Sequence, residues 1–430
     1  MTSAAAAAPS ASRPALPAVP RWKWTVVVML LLATVVNYMD RQALGSLSSF
    51  IKRDFRLGEE GYGSIEAWFG YSYAVFLVVS GFLADRLDLR WLYAGALLVW
   101  SGAGFATGFA TTLLGLQLCR IVLAAAEAFN WPVAVGVVKR LFPREQQSFA
   151  NSVFNTGVTF GAVFTPLLVI AMVGPGGSGW RAVFKAVGVA GLLVLGLWLW
   201  STRGSRAMEM ALPPREEGAG AARVPGVPFW AVLRMRRFWI TMGVGFSANF
   251  TWHLYRVWLP RHLVVDLRFD DRQLQWLLIA FYRTAALGSV VIGYLSRRLV
   301  GPGRSVDRAR KIVVVVSAAL CLVATPLLAQ PGRAVMVPLY CLVGAGTMGM
   351  FAMFYSLVQD ISPGHTSKCL GLIGATVWFV VSRLHGPVGH YADTHAPTIG
   401  KFAALLLVAG TLPLAAALFA LTWPEKRDTT

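Results

Sequence analysis

The stretch Gly81-Phe-Leu-Ala-Asp-Arg-Leu-Asp-Leu-Arg90 is a short charged segment between two long apolar runs. A related stretch, Gly293-Tyr-Leu-Ser-Arg-Arg-Leu299, follows another apolar run in the second half of the chain. An apolar run of about 20 residues is long enough to cross the hydrocarbon core of a bilayer as a helix. Both stretches follow the second such run of their half, which indicates a duplicated membrane protein.

The apolar runs predict the rest of the fold. We predict an all-α membrane protein with twelve transmembrane helices in two six-helix, pseudo-symmetric bundles. The predicted helices are 24–46, 62–84, 91–110, 112–138, 149–173, 182–201, 236–259, 273–299, 311–329, 334–357, 369–390 and 398–423. The predicted divisions are a disordered tail at 1–20, one bundle at 21–201, a cytoplasmic linker at 202–235, a second bundle at 236–424 and a C-terminal tail at 425–430.

The composition excludes several classes of protein. Of the 430 residues, 56% are hydrophobic and 14% are charged, and the mean hydropathy is +0.59. A soluble domain is about 45–50% apolar and about 25% charged. The net charge of +19 does not indicate nucleic-acid binding, because the basic residues lie between apolar runs and not on a soluble face. The four cysteines show no metal-ligand spacing, and we expect neither a metal nor another cofactor.

The basic residues between the apolar runs are concentrated on one side of the predicted bilayer. The segments on that side contain Arg90, Lys139 and Arg140, together with the Arg-rich linker. The segments on the opposite side contain fewer basic residues, among them Lys52, and mix them with acids. This distribution predicts a multi-pass protein with both termini in the cytoplasm.

The motif Gly81-x-x-x-Asp85-Arg86-x-x-x-Arg90 resembles the signature loop between helices two and three of the major facilitator superfamily. With twelve predicted helices and a long central segment, the resemblance covers essentially the whole chain. It implies a secondary transporter. In such a gating loop Gly81 allows two helices to approach closely, and Asp85 with Arg86 holds helix ends in one state. The second copy has Arg297 in place of the acid.

Three further stretches resemble the anion:cation symporter family, whose members include hexuronate, galactonate and sialate carriers. They are Asn37-Tyr-Met-Asp-Arg41 in helix one, Arg120 with Glu127 in helix four, and Trp258-Leu-Pro260 at the end of helix seven. The resemblance implies uptake of a small organic anion, such as a monocarboxylate sugar acid, usually coupled to protons.

Ionisable side chains inside apolar runs are costly and usually face a cavity or a partner. Asp40 lies about 24 Å along helix one from Trp24, in the outer half of the bilayer. Arg120, on the antiparallel helix four, reaches a similar depth, and Glu127 lies two turns further on the same face. Asp40 and Glu127 are the predicted proton sites, and Arg120 is predicted to pair with either and to compete with its protonation. The alternative is that these charges only neutralise one another as structural ion pairs.

The resemblance also implies the substrate site. Arg41 would bind the substrate carboxylate, with Tyr38 and Tyr73 beside it. The positions that hold substrate hydroxyls in sugar-acid carriers are here Val158, Ala352, Phe354 and Trp378. Because buried hydroxyls without partners weaken binding, a less hydroxylated aromatic or aliphatic carboxylate is expected. Alternatively, other polar side chains hold the hydroxyls, and the candidates are Asn155, Thr159, Asn249, Trp252 and Gln359.

The sequence leaves the roles of four further residues open. Arg256, about one turn before Pro260, either extends to the outer interface or attracts an anion near the outer mouth. His253 is either a proton relay or a histidine bonded to a neighbouring helix. Arg283 and Arg383, in helices eight and eleven, are assigned neither to the cavity nor to a structural position.

The leading interpretation is a monomeric, proton-coupled symporter of a small organic anion in the inner (plasma) membrane. Its expected partners are the anion, protons and the lipid bilayer. An exchanger of organophosphate for phosphate is the alternative within transport, since it also needs two arginines in the cavity. A membrane sensor or receptor that does not transport its ligand is the alternative from another class. No Walker loop, nucleophile elbow or metal cluster in the sequence indicates an enzyme or an ATP-driven pump.

Overall fold

The computed structural model describes residues 19–84, 87–204, 209, 229–299, 306–329, 332–361, 366–394, 417 and 421–422. Every regular element in these residues is helical, and they contain no strand. Most of the predicted tail 1–20, linker 202–235 and helix 398–423 lies outside the described residues, as does the whole C-terminal tail.

The helices follow the predicted order. The N-terminal half contains α1 (Arg21–Ser46), α2 (Ser48–Phe55), α3 (Glu59–Ala84), α4 (Leu89–Thr107), α5 (Leu113–Glu127), α6 (Asn130–Leu141), α7 (Arg144–Met172) and α8 (Trp180–Ser201). The C-terminal half contains α9 (Phe229–Val232), α10 (Arg236–Arg261), α11 (Asp271–Leu299), α12 (Val306–Cys321), α13 (Arg333–Ile361) and α14 (Thr366–Thr394). Short 3₁₀ segments occur at Pro175–Gly177 and Leu322–Ala329, and a π-helical turn at His262–Asp266 follows α10.

Nine helices in the described part of the chain are long and apolar enough to cross a bilayer, and α5 with α6 counts as one of them. Two more predicted spans, 91–110 and 236–259, occur as α4 and α10. The helix α10 contains polar residues such as His253 and Arg256, but these are only 4% and 2% exposed. Its polar groups therefore face the interior of the protein and not the lipid.

Glycines allow close packing between α1 and α7 in the N-terminal half. A Cβ atom on Gly161 would lie 2.5 Å from the carbonyl oxygen of Val35, and one on Gly157 would lie 2.7 Å from that of Leu31. Two glycines four residues apart let helix backbones approach closely in a membrane. Gly157 and Gly161 therefore allow the backbones of α1 and α7 to pack closely.

The remaining helices pack in pairs around these contacts. In the N-terminal half, α4 packs against α5 and α8, and α3 packs against α5. In the C-terminal half, α13 packs against α10, α11 and α12. Between the halves, α3 runs along α14 and α7 along α11, while α1 touches α10. These contacts place α1, α3, α5, α10 and α14 around a common centre.

The two halves are joined at the end that the Lys and Arg distribution predicts to face outward, which we call the outer end. Ser49 Oγ donates a hydrogen bond to Asp271 Oδ1 at 2.7 Å, and Arg261 Nε lies 3.3 Å from Glu59 Oε1. The two carboxylate oxygens of Asp393 accept hydrogen bonds from the first two backbone N–H groups of α3, at 2.9 and 2.8 Å. We call Ser49, Glu59, Arg261, Asp271 and Asp393 the outer seal. Each contact crosses between the halves, so the outer end is closed.

Candidate functional site

The buried centre of the structure holds an ion pair between α1 and α5. Arg41 Nη2 lies 2.8 Å from Glu127 Oε2, and Arg41 Nε donates to the same oxygen at 3.2 Å. Arg41 is 4% exposed and Glu127 is fully buried. The spacing of Asn37 and Arg41, four residues apart on α1, also lets Arg41 Nη2 approach Asn37 Oδ1 at 3.5 Å. A buried arginine held by two polar side chains is a suitable receptor for a carboxylate.

Aromatic rings surround the same guanidinium. Arg41 Cζ lies 4.7 Å from the ring centroid of Tyr73, 5.2 Å from that of Tyr38 and 5.4 Å from that of Trp378. Phe69 follows at 5.7 Å. These rings come from α1, α3 and α14, so both halves contribute to the environment of Arg41. Rings at this distance attract a cation, and they exclude water from it.

Arg120 does not make the ion pair that the sequence analysis predicts. Its Nη1 donates to the backbone carbonyl of Asp40 at 3.3 Å, and its Cζ lies 4.5 Å above the ring of Phe69. Among the described residues, its Nε and Nη2 have no hydrogen-bond partner. The partner of Glu127 is Arg41, so the pairing differs from the prediction although the four charges lie together.

Asp40 is the least satisfied of these groups. It is fully buried, and within the described residues neither of its carboxylate oxygens has a hydrogen-bond partner. Its Oδ1 lies against α4, where a Cβ atom on Gly104 would be 2.6 Å away. An ionised carboxylate without partners is very costly in an apolar interior, whereas the protonated group costs much less. This environment therefore favours the neutral form of Asp40.

A second buried ion pair was not predicted. Arg256 Nη2 of α10 lies 2.8 Å from Glu66 Oε2 of α3, and Arg256 Nη1 donates to Glu66 Oε1 at 3.4 Å. Both residues are nearly inaccessible, at 2% and 1% exposure. Arg256 does not extend to the outer interface, because it is buried against Glu66. The attraction of an anion by Arg256 near the outer mouth stays a prediction. Glu66 was missed although it is an acid inside a predicted transmembrane run, which is itself the signal.

The other predicted substrate residues lie on α10 and α7. The ring of Trp252 stacks on Phe281 at 5.9 Å in the C-terminal half, and Asn249 Nδ2 donates to the carbonyl of Gly245 in its own helix. Asn155 and Thr159 are partly buried on α7. The structure brings Tyr38, Tyr73 and Trp378 together at Arg41. Substrate binding by the other four residues stays a prediction. The side chain of Gln359 lies outside the described residues.

Three residues with open interpretations are now placed. The ring of His253 contacts Trp378, with 4.0 Å between the centroids, so it touches the aromatic group around Arg41. Arg283 and Arg383 are exposed on α11 and α14.

The three apolar positions that stand in place of hydroxyl-binding groups are also placed. Phe354 is 3% exposed, and its ring would lie 2.4 Å from a Cβ atom on Gly245, so it fills the contact between α10 and α13. Ala352 is partly buried on α13, as is Val158 on α7. The fourth position, Trp378, is the one that reaches Arg41.

The predicted gating loop is only partly described. Asp85 and Arg86 lie outside the described residues. Arg90 Nε donates to Thr202 Oγ1 at 3.2 Å, which ties the start of α4 to the end of α8. A Cβ atom on Gly81 would meet no atom of the described chain within 4 Å. The close helix approach expected at Gly81 is therefore not found in this structure.

Comparison with known proteins agrees with this geometry. The sequence profile described as Major Facilitator Superfamily matches residues 30–387. A crystal structure of a bacterial homologue of the human lysosomal transporter Spinster, in an inward-facing and unoccupied conformation, has a TM-score of 0.69 to this chain. The two are 18% identical, and the likeness covers 94% of this chain and 96% of the other. At this identity the likeness concerns the fold.

Several curated relatives match most of the chain. The probable L-galactonate transporter of Escherichia coli K12 is 25% identical over 393 residues, covering 90% of this chain and 82% of the relative. The hexuronate transporter of the same strain is 24% identical over 389 residues, covering 86% and 88%. The probable galactarate/D-glucarate transporter of Bacillus subtilis 168 is 25% identical over 438 residues, covering 94% and 93%. Family and relatives are transporters and not enzymes, and the resemblance to anion:cation symporters is confirmed. The chain therefore belongs to the Major Facilitator Superfamily of multi-pass membrane transporters.

Proposed function

We propose that the chain moves a small organic anion across the membrane together with protons, by alternating access. The observation that carries the proposal is the Arg41–Glu127 ion pair, next to the carboxyl of Asp40, which precedes Arg41 and has no hydrogen-bond partner among the described residues. The relatives are named as a hexuronate transporter and as probable transporters of L-galactonate and of galactarate and D-glucarate, which are all small organic acids.

The coupling follows from competition for one cation. Glu127 Oε2 accepts from both Nε and Nη2 of Arg41, so a substrate carboxylate cannot use the same two donors at the same time. When Glu127 takes up a proton, it releases Arg41, and the substrate carboxylate can bind there bidentately. When the substrate leaves, Glu127 loses its proton and pairs with Arg41 again. Anion and proton then travel in the same direction, which is symport.

Asp40 supports a second step of proton binding. Its carboxyl has no partner among the described residues, and the Arg120 guanidinium is bonded to its backbone carbonyl. A turn of Arg120 that paired its Nε or Nη2 with this carboxylate would favour the ionised form. Asp40 therefore takes up its proton when Arg120 lies on Phe69, as it does here, and loses it when Arg120 turns.

The proposed substrate has few hydroxyl groups. The only polar group at the four positions that differ from sugar-acid carriers is the indole N–H of Trp378. The rings of Tyr38, Phe69, Tyr73 and Trp378 surround Arg41 and offer more apolar than polar surface to the body of a substrate. An aromatic or aliphatic carboxylate matches this surface better than a polyhydroxylated one.

Orientation and organisation are part of the proposal. We place both termini in the cytoplasm, because Lys and Arg are concentrated on one side of the predicted bilayer. We place the chain in the inner membrane on the strength of its resemblance to bacterial relatives. We also propose that residues 21–201 and 236–424 form the two moving bundles, joined by 202–235, and that a single chain is the transport unit.

The test is uptake into proteoliposomes that contain the purified protein, with and without an inward proton gradient. The panel includes galacturonate, glucarate, benzoate, phenylacetate, a short aliphatic monocarboxylate and a phosphate ester. We expect gradient-driven accumulation of a carboxylate, and we expect Glu127→Gln to lose accumulation but to retain exchange of labelled for unlabelled substrate. The matched control is Asp54→Asn, which removes an acid that contacts Arg181 within the N-terminal half, at the outer surface.

The outcomes separate the alternatives. Accumulation that ignores the proton gradient contradicts symport. Exchange of phosphate for a phosphate ester supports the exchanger. A chain that binds a carboxylate but moves none of the panel supports a sensor.

A further inference from the structure

The ion pair between Glu66 and Arg256 joins the two halves inside the protein. Glu66 lies on α3 of the N-terminal half and Arg256 on α10 of the C-terminal half, 2.8 Å apart between Oε2 and Nη2. The exposed fractions of the two side chains are 0% and 1%. The contacts of the outer seal, by comparison, lie at the ends of the helices. This pair is therefore the deepest charged contact between the halves in the described part of the chain.

Separation of the halves at the outer end must break this pair. The side chains belong to helices that move apart when that end opens, and each would leave an unpaired charge in a buried place. Removing one partner of a buried ion pair is strongly unfavourable, because the remaining charge stays desolvated. The pair therefore opposes opening until water or another charged group takes the place of the lost partner.

The pair is also in contact with the proposed substrate site. Arg256 Nη1 donates to the backbone carbonyl of Arg41 at 3.5 Å. Glu66, Phe69 and Tyr73 lie three and seven residues apart on α3, so they share one face of that helix. Three residues before Arg256, the ring of His253 contacts Trp378. The helices that carry the ion pair thus also hold the rings around Arg41 in position.

We propose that Glu66 and Arg256 are positioning residues that couple binding at Arg41 to closure of the outer end. The pair forms when the halves close over an anion at Arg41, and it breaks when the outer end opens to admit one. It fixes Arg256 against the backbone of Arg41 and ties α3 to α10, whose His253 contacts Trp378 among the rings around Arg41. This inference rests on the proposed transport function, because only a transporter needs to open and close this end.

The test measures opening of the outer end directly. In a variant in which Cys119, Cys321, Cys341 and Cys369 are replaced by Ser, a single cysteine is introduced as Ser46→Cys. Ser46 is 2% exposed at the outer end of α1, and its carbonyl accepts from Gln275 Nε2 of α11 at 2.9 Å. A membrane-impermeant maleimide added to reconstituted protein reacts with this thiol only when the outer end opens.

We expect Glu66→Gln and Arg256→Gln each to raise the labelling rate by about five-fold or more, the range of typical coupling between conformations. The control Asp54→Asn removes an acid that contacts Arg181 within one half and should leave the rate unchanged. The exchanged double variant Glu66→Arg/Arg256→Glu should restore slow labelling. If that variant does not fold, Arg256→Lys, which keeps the charge, should label slowly.

Labelling of both Gln variants at the parent rate would overturn the proposal. Fast labelling of both the exchanged variant and Arg256→Lys would do the same, because it would show that the pairing of charges does not matter. The labelling needs neither substrate nor a proton gradient. A failure of proton-coupled uptake with altered labelling would therefore count against the proposed function alone.

Discussion

Trp378 of α14 lies against the guanidinium of Arg41 of α1, with 5.4 Å between the ring centroid and Cζ. The contact joins a residue of the C-terminal half to the proposed substrate-binding residue of the N-terminal half. The same indole contacts the ring of His253 at 4.0 Å and that of Tyr73 at 4.7 Å. One side chain therefore orders the cation and its aromatic neighbours when the outer end is closed.

The first prediction concerns this side chain. Trp378→Ala should raise the KM for uptake by about two- to thirty-fold, since a desolvated cation–π contact contributes about 0.5–2 kcal/mol. Trp378→Phe should fall between this variant and the parent because it keeps a ring. The control is Phe379→Ala, the next residue of α14, which is 56% exposed. An equal loss in the control would show that the effect comes from the helix and not from the indole.

The second prediction concerns Asp40. Because its carboxylate oxygens have no partner among the described residues, Asp40→Asn resembles the neutral form and should change the apparent Tm by no more than about 2 °C. The variant should lose accumulation driven by a proton gradient and retain exchange of labelled for unlabelled substrate. Thermal unfolding in detergent and the two transport assays check these results. Loss of exchange together with accumulation would instead assign Asp40 to substrate binding.

The third prediction separates binding from stability at Arg41. Arg41→Gln should abolish transport and lower the free energy of unfolding by about 3–5 kcal/mol, because Glu127 stays buried without its partner. Arg41→Gln/Glu127→Gln should recover most of that stability and still not transport. The measurements are thermal unfolding and the initial rate of uptake at saturating substrate. Transport by the double variant would show that Arg41 does not bind the substrate.

The fourth prediction concerns the contact between α1 and α7. Gly161→Ala places a methyl group 2.5 Å from the carbonyl oxygen of Val35, so the helices must separate, at a cost of about 1–3 kcal/mol. Gly102→Ala in α4 adds a methyl group where no described atom lies within 4 Å, and it should be neutral or stabilising. Apparent Tm values in one detergent give the comparison. Equal Tm values for the two variants would contradict the close contact.

The sequence predicted the positions of the helices well because each crossing needs a long apolar run. It also predicted that Asp40, Arg41, Arg120 and Glu127 lie together, since spacing along two antiparallel helices fixes their depth. Which arginine pairs with Glu127 depends on side-chain packing. Arg120 lies over the ring of Phe69, which comes from a third helix, and Arg41 is the one that reaches Glu127.

The pairing of Glu66 could not be predicted from the sequence. Its partner, Arg256, is 190 residues away in the other half, and no local spacing relates the two. The acids at the start of α3, Glu59 and Glu60, also make the first turns of that helix resemble a solvated end. Only the tertiary contacts show that Glu66 lies inside, paired with Arg256, and that Glu59 and Glu60 lie at the outer end, against Asp393.

The carboxylate of Asp393 has a further consequence for α3. The first free N–H groups of a helix are usually satisfied by a residue just before it in the chain, with a contribution of about 0.5–2 kcal/mol. Here α14, from the other half, supplies that acceptor, more than 300 residues away in sequence. The first turn of α3 thus has its cap only while the outer end is closed. Each opening would expose that turn to unwinding, so part of the free energy of closure is the free energy of completing a helix.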